Sequence, residues 1–583
     1  MKRITELHRW LLVFAVLSAG ALAVLFMGRI VGDPPTKSNS VLLTAPAGTL
    51  PATMHTSIDG YAAAVLPTGR IITPIGTEVN VGAPKPYGLA LSPDGRILAT
   101  TNNGTGPFSV TLISSLNSGT PQTKLVSLDS TFQGIAFSKD GSRFYASAGE
   151  DGLVWVGDSV TGSILAVVNL NTSAHALTGP INPRNTPPGK FKGTFPGAMV
   201  LGSDGRLLYV VDQGGFLVHV IDTTKIDAVN HGIGATDPNN FAAVAGTVKV
   251  GRYPFSIAIS PRNDTGDESS ETSRPSFLFV SHVGTFQYKH LDPVNPTGDP
   301  NHDYPLGYPG TSYPDDMQAD KTIKIKKVDP RNLPDTLQDP EGIRVGYIAQ
   351  DQTYKIPGLG SPNAPEASSV YVLKLNKAPV LPSLETVVKT GPRVGEVENG
   401  IQSFGGSHPN AVAIGQDAIY VSNGNNDSIS ILDPESFQEV HRVSLTVLDG
   451  IDGILKGVQP VALAVSRDGE WLYVAEAGIN AIAVLRLNGE QPHVEGHIPV
   501  GWWPSAIQVS ADGETLYVAN ARGRGAPANN GNGSPKASTL GTVNIIPVPN
   551  SGLLHSLTMR VLKNNGFVPG SAHWRRRAFR RRR

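Results

Sequence analysis

Cysteine is absent from the 583 residues, which excludes disulfides, thiolate nucleophiles and cysteine-ligated zinc. An even spread of charge is missing too, although the chain holds 48 basic and 48 acidic residues. Seven arginines lie within the last nine residues, and four further basic residues lie within residues 1–32. The remainder carries ten more acidic than basic side chains, which argues against binding to nucleic-acid phosphates.

Short catalytic motifs are also missing. The chain has no G-x-S-x-G, H-E-x-x-H, Walker loop, dinucleotide-binding fingerprint or haem-attachment motif. We therefore predict no catalytic residue, no metal ligand and no resident cofactor from motifs, and a redox centre would have to come from a partner. Binding becomes the leading functional hypothesis.

One long apolar run is present, near the N-terminus. "WLLVFAVLSAGALAVLFM" (10–27) carries no charge and follows the basic segment "MKRITELHR". Its length lies between that of a signal peptide and that of a membrane-spanning helix, so residues 1–30 are either a cleaved signal or an uncleaved anchor. Both alternatives predict export to the periplasm or the extracellular space, with residues 31–60 as a linker.

A repeat fills most of the remaining chain. Each unit contains a β-branched strand ending near glycine, a proline or glycine, a short apolar strand, an Asp-Gly turn and a second strand, as in "VGWWPSAIQVSADGETLYVANARG" (500–523). Asp-Gly between alternating strands predicts a hairpin with a type I′ turn. Seven units are found, and their inner strands begin near Pro86, Phe132, Pro196, Pro254, Pro409, Pro460 and Pro504.

The unit spacing, about 45 to 65 residues without inserts, suits one four-stranded blade per unit. Unit seven shows only three strands, whereas "GRIITPIGTEVNVG" (69–82) supplies a spare strand before unit one. We therefore predict an all-β fold, a seven-bladed β-propeller over residues 61–549 closed by an N-terminal strand. An N-terminal hydrophobic helix and a short C-terminal helix over 550–567 complete the predicted architecture.

Two repeated positions are expected on one surface of this ring, here named the mouth face: the residues leading into the inner strand and those following the second strand. The candidate ligand-binding residues at these positions are Tyr87, Asn102, Glu150, Asp212, Arg252, Tyr253, His282, His408, Asn423, Glu476, Trp502, Trp503, Asn520 and Arg522. A ring of aromatic and polar side chains around a channel mouth is a plausible binding site. A structural interpretation stands beside it, because Asn and Asp cap turns and aromatic side chains pack between blades.

Unit four carries a long insert, residues 290–367, rich in proline, aspartate and asparagine. The aspartates that could supply oxygen ligands for Ca²⁺ are Asp292, Asp299, Asp303, Asp315 and Asp316. No EF-hand spacing is present, so a solvated decorating loop is the alternative interpretation.

The repeat motifs resemble a known family. "LYVAN" (516–520), "LYVAE" (472–476) and "IYVSN" (419–423) are similar to the repeats of YVTN-type β-propellers, over roughly residues 65–549. The resemblance implies the fold. It implies no single function, since this scaffold serves lactonases, dehydrogenase subunits and binding modules.

The C-terminal stretch resembles a narrower group. "VGWWPSAIQVSADGETLYVANARGRGAPANNG" (500–531) and "GTVNIIPVPNSGLLHSLTMRVLKNNGF" (541–567) are similar to bacterial two-domain proteins in which a YVTN propeller precedes a phosphoesterase domain of the alkaline phosphatase superfamily. The resemblance implies an amphipathic helix at 551–566 and then a metal-dependent catalytic domain. Here "FVPGSAHWRRRAFRRRR" (567–583) follows instead, so no catalytic residue of that family is assigned. The arginine-rich tail, 568–583, is either a basic segment for anionic lipid or acidic partners or the out-of-frame end of a broken gene.

The sequence thus predicts an exported propeller that binds or scaffolds a protein or small-molecule ligand, without catalysis of its own. The predicted contacts are a protein partner or catalytic domain on the mouth face and a membrane through the N-terminal segment, with no nucleic acid. Two alternatives involve catalysis: the propeller half of a truncated or split metal-dependent phosphoesterase, and a lactonase-like hydrolase.

Overall fold

The N-terminal part of the described chain forms a small sheet and one further strand. The computed structural model describes residues 45–567, with gaps at 53, 105–107, 172–193, 227–242, 252, 261–275, 284–362 apart from four short strands, 364–366, 377–379, 399–400, 404–405, 446, 448–456, 489–491 and 526–538. Strands β1 (His55–Ile58), β2 (Tyr61–Val65) and β3 (Ile71–Ile72) pair in that order, and β4 (Thr77–Pro84) follows.

Both predicted terminal features lie outside the described residues. These are the hydrophobic segment at 10–27 and the arginine-rich tail, so the predicted membrane contact and localisation stay predictions. Among the residues that are described, no helix combines the length and the apolar character needed to cross a membrane.

Units one to three each fold into a four-stranded antiparallel sheet. Unit one consists of β5 (Pro86–Leu91), β6 (Leu98–Asn102), β7 (Ser109–Ser114) and β8 (Gln122–Ser127). Unit two consists of β9 (Ile135–Phe137), β10 (Arg143–Ser147), β11 (Leu153–Asp158) and β12 (Ile164–Asn169). Unit three consists of β13 (Pro196–Leu201), β14 (Leu207–Asp212), β15 (Leu217–Asp222) and β16 (Val244–Lys249).

Unit four is interrupted by the predicted insert. Its first two strands are β17 (Pro254–Ile259) and β18 (Phe277–His282). The insert contains a separate sheet of β19 (Asp292–Pro293), β20 (Ile325–Lys327), β21 (Tyr347–Ala349) and β22 (Gln352–Lys355). The unit is completed by β23 (Ser369–Lys374) and β24 (Ser383–Lys389). The side chains of the insert's five aspartates are not among those described, so the Ca²⁺ site stays a prediction.

Units five to seven complete the repeat. A two-stranded sheet of β25 (Val397–Glu398) and β26 (Ile401–Gln402) precedes unit five, which consists of β27 (Pro409–Ile414), β28 (Ile419–Asn423), β29 (Ser428–Leu432) and β30 (Glu439–Ser444). Unit six consists of β31 (Pro460–Val465), β32 (Trp471–Glu476), β33 (Ala481–Arg486) and β34 (His493–Pro499). Unit seven contributes β35 (Pro504–Val509), β36 (Thr515–Asn520) and β37 (Leu540–Pro547), and helix α1 (Ser551–Asn564) follows.

The fourth strand of unit seven comes from the N-terminal side of the chain. β4 pairs antiparallel with β37, with Val79 opposite Val543 and Thr77 opposite Ile545. The first strands of successive units contact one another in the order β5, β9, β13, β17, β27, β31, β35 and back to β5. Within the described residues the sheets therefore close on one another, as the missing strand of unit seven predicted. Apart from α1 and two single-turn 3-10 helices the described chain is β-structure, and it has a propeller fold.

Apolar side chains between neighbouring sheets form the core. Between units six and seven, for example, Tyr473 packs with Leu516 and Ile546, and all three are buried. Between units one and two, Phe144 and Trp155 fill the same role. The second and third strands of unit six are buried on both faces, which explains why their sequences are nearly continuous apolar runs.

Helix α1 covers the outer strand of unit six. Its buried residues include Leu554, Leu557 and Val561, and Asn550 caps the helix by accepting a 3.0 Å hydrogen bond from Leu553 N. A Cβ on Gly496 would meet the Leu554 side chain, so the glycine lets the helix approach β34 closely. Leu553, in the first turn of the helix, is 46% exposed.

The Asp-Gly turns differ from the predicted type. Gly95 has a left-handed backbone (φ 71°), whereas Asp94 does not, so a type I′ turn is excluded. Gly95 N donates to Ser92 O at 2.8 Å, and the Asp94 carboxylate accepts from Ser92 Oγ at 2.6 Å and Arg96 N at 3.1 Å. The bonds from Ser92 Oγ and Arg96 N to the carboxylate hold the pKa of Asp94 below its usual value. The sequence therefore found the right turn position but the wrong turn geometry, because the serine two residues earlier closes the loop.

Candidate ligand-binding face

Five residues that immediately precede the proline of an inner strand share an unusual backbone. Their φ angles are positive: Lys85 54°, Tyr253 51°, His408 56°, Gln459 52° and Trp503 63°. A residue before proline ordinarily prefers an extended conformation, and a left-handed backbone is costly for a side chain with a Cβ. We name these five the pre-proline residues. Their conformation persists because the surrounding structure holds it.

The first restraint comes from the pre-proline residue's own unit. Its carbonyl oxygen accepts a hydrogen bond from the N–H that follows the second strand. The N···O distances are 2.8–3.2 Å. The pairs, with the N–H donor first and the carbonyl acceptor second, are Asn103–Lys85, Val283–Tyr253, Gly424–His408, Ala477–Gln459 and Ala521–Trp503. The loop before the first strand and the loop after the second strand therefore adjoin, as the sequence predicted for the mouth face.

The second restraint comes from the preceding unit. In units three to six the residue directly before the third strand also has a left-handed backbone, and these residues are Phe216, Ser368, Asp427 and Asn480. Asn480 Oδ1 accepts from Trp503 N at 3.0 Å, and Asp427 Oδ1 accepts from Gln459 N at 2.8 Å. Each such residue thus contacts the pre-proline residue of the next unit and couples neighbouring units at the mouth face.

The other two contacts of this kind are weaker. His408 N donates to Ser368 Oγ at 3.5 Å. The rings of Phe216 and Tyr253 meet edge to face, with centroids 5.2 Å apart. All four contacts were missed from the sequence. Their signal is a left-handed residue directly before a third strand, which has no fixed residue type.

The predicted residues at the ends of second strands occupy a different environment. Asn102, Asp212, His282, Asn423, Glu476 and Asn520 are all 0% exposed. Asn102 Nδ2 donates to Ser109 Oγ at 3.0 Å and Thr111 Oγ1 at 2.9 Å. Asn423 repeats this with Ser428 and Ser430, and Asn520 Nδ2 donates to Asn544 Oδ1 at 2.7 Å. These amides bind within their own sheets, which is the structural interpretation of their position.

Two acidic members of this set contact buried histidines. Asp212 Oδ1 accepts from Phe195 N at 2.7 Å and Gly214 N at 2.9 Å, while its Oδ2 lies 3.1 Å from His219 Nε2. Glu476 Oε2 lies 3.3 Å from His497 Nε2, in a contact too poorly aligned to satisfy either group as a hydrogen bond. Burial raises the pKa of Glu476, and His497 opposes that shift.

His282 is buried beside an aromatic ring. Its ring centroid is 4.5 Å from that of Tyr371, and neither ring nitrogen makes a well-formed hydrogen bond within the described residues. Burial lowers the pKa of His282 to about 3, although backbone groups of Ser369 and Val280 oppose the shift. The side chain therefore stays neutral at ordinary pH.

The remaining predicted residues that the structure describes are at least partly open. Glu150 is exposed on a 3-10 turn (Gly149–Asp151), Tyr253 is 37% exposed, and His408 is half-buried with a pKa lowered by burial. Arg252 lies outside the described residues. The structure does not bring His408, His282, Glu476 and Asp212 together into one cluster, and among the described residues no group of three or more potential metal ligands occurs.

Three of the predicted residues come together where unit seven meets unit one. The Arg522 guanidinium lies over the Trp502 ring, with its Cζ 4.8 Å from the ring centroid. Burial raises the pKa of Tyr87, and Arg522 opposes this shift, so the two side chains are near each other. Lys85 N donates to Ala521 O at 3.1 Å, which places this lysine in the same group. We name Lys85, Tyr87, Trp502 and Arg522 the seam cluster.

Lys85 was missed from the sequence. The sequence predicts Tyr87 at the position leading into the first strand of unit one, but Tyr87 follows Pro86 inside β5. The segment "GAPKPYG" (82–88) did contain the signal, because Lys85 directly precedes the proline.

The N-terminal sheet borders the seam cluster. Trp502 packs against Ala64, Leu66 and Ile72 from β2, β3 and the turn between them. Arg70 Nη1 from the same turn donates to Gly478 O at 2.5 Å, in the loop after the second strand of unit six. The N-terminal sheet therefore covers one side of Trp502. The side chains of all four residues of the seam cluster are half-buried, so each remains partly accessible to solvent.

Comparisons with known proteins agree with the fold. A family model described as "Lactonase, 7-bladed beta-propeller" matches residues 367–526, and no curated protein matches the chain. Hydrazine synthase of Kuenenia stuttgartiensis is 15% identical, with a TM-score of 0.40, covering 81% of this chain and 98% of that chain. Virginiamycin B lyase from Staphylococcus aureus is 11% identical, with a TM-score of 0.39, covering 81% and 99%.

A third solved structure is of a different kind. The WD40 repeats of RRP9 are 10% identical, with a TM-score of 0.43, covering 82% of this chain and 100% of that chain. At such TM-scores these likenesses carry no argument about the site. The comparisons thus add to the propeller fold described above a likeness to the seven-bladed lactonase family over residues 367–526.

Proposed function

We propose that this chain is a seven-bladed propeller that binds a protein or small-molecule ligand on its mouth face, as an exported binding or scaffolding module without catalysis of its own. The observation that supports this most is the row of pre-proline residues with a left-handed backbone. Backbone strain that is held by two sets of hydrogen bonds is typical of sites where side-chain direction matters.

The residue types at these positions fit binding. The row offers aromatic, imidazole, amide and ammonium groups, and Trp502 and Arg522 add an indole and a guanidinium beside it. Trp, Tyr and Arg are the residues most enriched among energetically dominant interface contacts. Because the backbone is already fixed, binding here orders few groups, and this reduces the entropy cost of association.

Crystals of the full chain soaked with a library of small neutral and charged fragments test the proposal. We expect fragments to concentrate on the mouth face, around Tyr253, Trp503 and the seam cluster. Concentration of fragments on the opposite face, where the Asp-Gly turns lie, would contradict it. The matched control pair on that opposite face is Arg486 over Trp471, with the cation 5.7 Å from the ring centroid.

A lactonase-like hydrolase is the second candidate function, because the matched family model spans residues 367–526. That range includes His408, Glu476 and Arg522. Incubating the purified chain with γ-butyrolactone and dihydrocoumarin, with and without Mg²⁺, Ca²⁺, Mn²⁺ or Zn²⁺, separates the two candidates. The binding proposal expects no turnover, whereas turnover that His408→Asn abolishes would favour the hydrolase.

The phosphoesterase association rests on the resemblance of residues 500–567 alone. In this alternative, the propeller works with a separate metal-dependent catalytic domain. Sequencing the DNA after codon 583 in all three frames tests this, since a frame encoding such a domain would support it and unrelated sequence would not.

A further inference from the structure

We infer that the seam cluster is a carboxylate-binding site, with Arg522 and Lys85 as its cations. The inference rests on the proposed function and names the chemistry of its ligand. It begins from the position of the two residues. A backbone bond joins Lys85 to Ala521, the neighbour of Arg522, so the two residues lie where the first loop of unit one meets the second loop of unit seven.

Neither cation has an acidic partner among the described residues, although both side chains are half-buried. Other cations nearby are engaged: Arg524 Nε binds Glu78 Oε1 at 2.8 Å, and Arg70 binds a backbone carbonyl. The neighbouring segment at 526–538 contains no Asp or Glu in its sequence. Two half-buried positive charges without a counter-charge favour an anion at this place.

The guanidinium of Arg522 points to a planar anion. The cation is held over the indole face, and the planar fork of guanidinium N–H donors matches the two oxygens of a carboxylate. Arg486 on Trp471 shows the contrasting case, because its Nε already donates to Asn488 Oδ1 at 2.6 Å. No such bond occupies Arg522 among the described residues.

Tyr87 and Trp502 add the second part of the site. Burial keeps the Tyr87 phenol protonated, so it is a hydrogen-bond donor that carries no opposing charge. The Trp502 ring offers an apolar surface next to the cations. The cluster therefore suits a carboxylate attached to an apolar or aromatic group. Such a group occurs in small organic acids and in acidic segments of proteins, and the two sources share this chemistry.

Isothermal titration of the full chain at low salt tests the inference with matched probes. Benzoate is compared with benzamide, and acetyl-Ala-Glu-Phe-Glu-Ala-amide is compared with its Gln counterpart. We expect at least one acidic probe to bind about tenfold or more tightly than its neutral counterpart, a difference of about 1.4 kcal/mol. Binding by benzoate assigns a small acid as the source, and selective binding by the Glu peptide assigns a protein segment.

Variants place the effect at the cluster. Arg522→Gln should weaken the acidic probe about tenfold or more, and Lys85→Gln should weaken it by a smaller factor. The controls Arg486→Gln and Lys124→Gln, both exposed side chains away from the mouth face, should bind as the wild type does. Thermal unfolding of each variant shows whether the fold is retained.

Three results would overturn the carboxylate inference: equal binding of acidic and neutral probes, no binding of any probe, or tighter binding of inorganic phosphate than of the carboxylates. Failure of the carboxylate inference can be distinguished from failure of the proposed binding function. Neutral probes that bind and are lost in Trp503→Ala would retain a binding role for the mouth face without a carboxylate site, and the fragment-soaking experiment tests that role independently.

Discussion

At the scale of single residues, the mouth-face position that ends each second strand combines polarity with complete burial. His282 and Glu476 show the two possible consequences for ionisation. Burial disfavours the charged form of each, so it lowers the pKa of the histidine and raises that of the carboxyl group. Each group therefore makes folding depend on pH in a defined window.

His282 predicts a loss of stability in acid. The unfolded chain binds a proton at this residue below about pH 6.5, whereas the folded chain does so only near pH 3, so stability falls as the pH drops through that window. In His282→Phe the ring against Tyr371 is kept but the proton site is removed. We expect urea midpoints to fall less between pH 6.5 and 4 in this variant than in wild type. The exposed control His441→Phe should follow wild type, and equal acid sensitivity of all three would contradict the prediction.

The raised pKa of Glu476 predicts that folding stability changes with pH in the opposite direction. Its folded pKa is raised above the ordinary 4.5, so the stability present at low pH is lost as the pH rises from that value through the folded pKa. Glu476→Gln keeps the shape and removes the ionisation. The Tm of the variant minus that of wild type should therefore become more positive as pH is raised above 4.5. The exposed control Glu470→Gln should show a flat difference, and a flat difference for Glu476→Gln would refute the prediction.

At the scale of elements, the inner strands of units one to three approach closely because they carry glycine. A Cβ on Gly134 would lie 2.0 Å from Gly197 O, and a Cβ on Gly88 would lie 2.2 Å from Gln133 O. Neither glycine needs a positive φ, so the requirement is for space between backbones. These glycines let β5, β9 and β13 approach one another.

Gly134→Ala tests this approach. The added methyl group must displace backbone, so we expect a loss of about 1–3 kcal/mol in the free energy of unfolding. Gly119→Ala is a matched control, since a Cβ there meets nothing within 4 Å and its φ is not in the left-handed region. Urea denaturation followed by circular dichroism measures both. A loss in Gly134→Ala no larger than in Gly119→Ala would show that the strands can separate without penalty.

The same scale shows what the sequence could reveal. Strand positions, the insert in unit four and the pairing of β4 with β37 follow from local alternation and from counting strands, which are properties of adjacent residues. The burial of Asn102 and Asn423 could not be read in this way, because it depends on the third strand presenting serine or threonine at the facing positions. The contact of Asn480 with Trp503 was hidden for the same reason, since it joins two different units.

At the scale of the whole molecule, the pairing of β4 with β37 joins the two ends of the repeat. Residues 45–565 form one compact unit, and Val79 is buried in it with Val543 and Ile545. Every first strand contacts two others, so no unit lies at an open end. We therefore expect a destabilising substitution in the pairing of β4 with β37 to destabilise distant units as well.

Val79→Asp tests the closure. A buried charge without a partner should destabilise the fold by more than about 4 kcal/mol, whereas Leu125→Asp on the exposed outer strand β8 should change it by less than about 0.5 kcal/mol. Hydrogen exchange should speed up in units three and four as well as in units one and seven. Faster exchange confined to units one and seven would mean that the units unfold independently.

This closure also bears on synthesis of the chain. The ribosome makes β4 before any inner strand and β37 after all of them, so β4 must remain unpaired while the rest of the repeat is translated. Until then its row of free N–H and C=O groups can pair with another nascent chain. Slow translation would therefore favour exchange of β4 between molecules, which would yield linked dimers of otherwise native propellers.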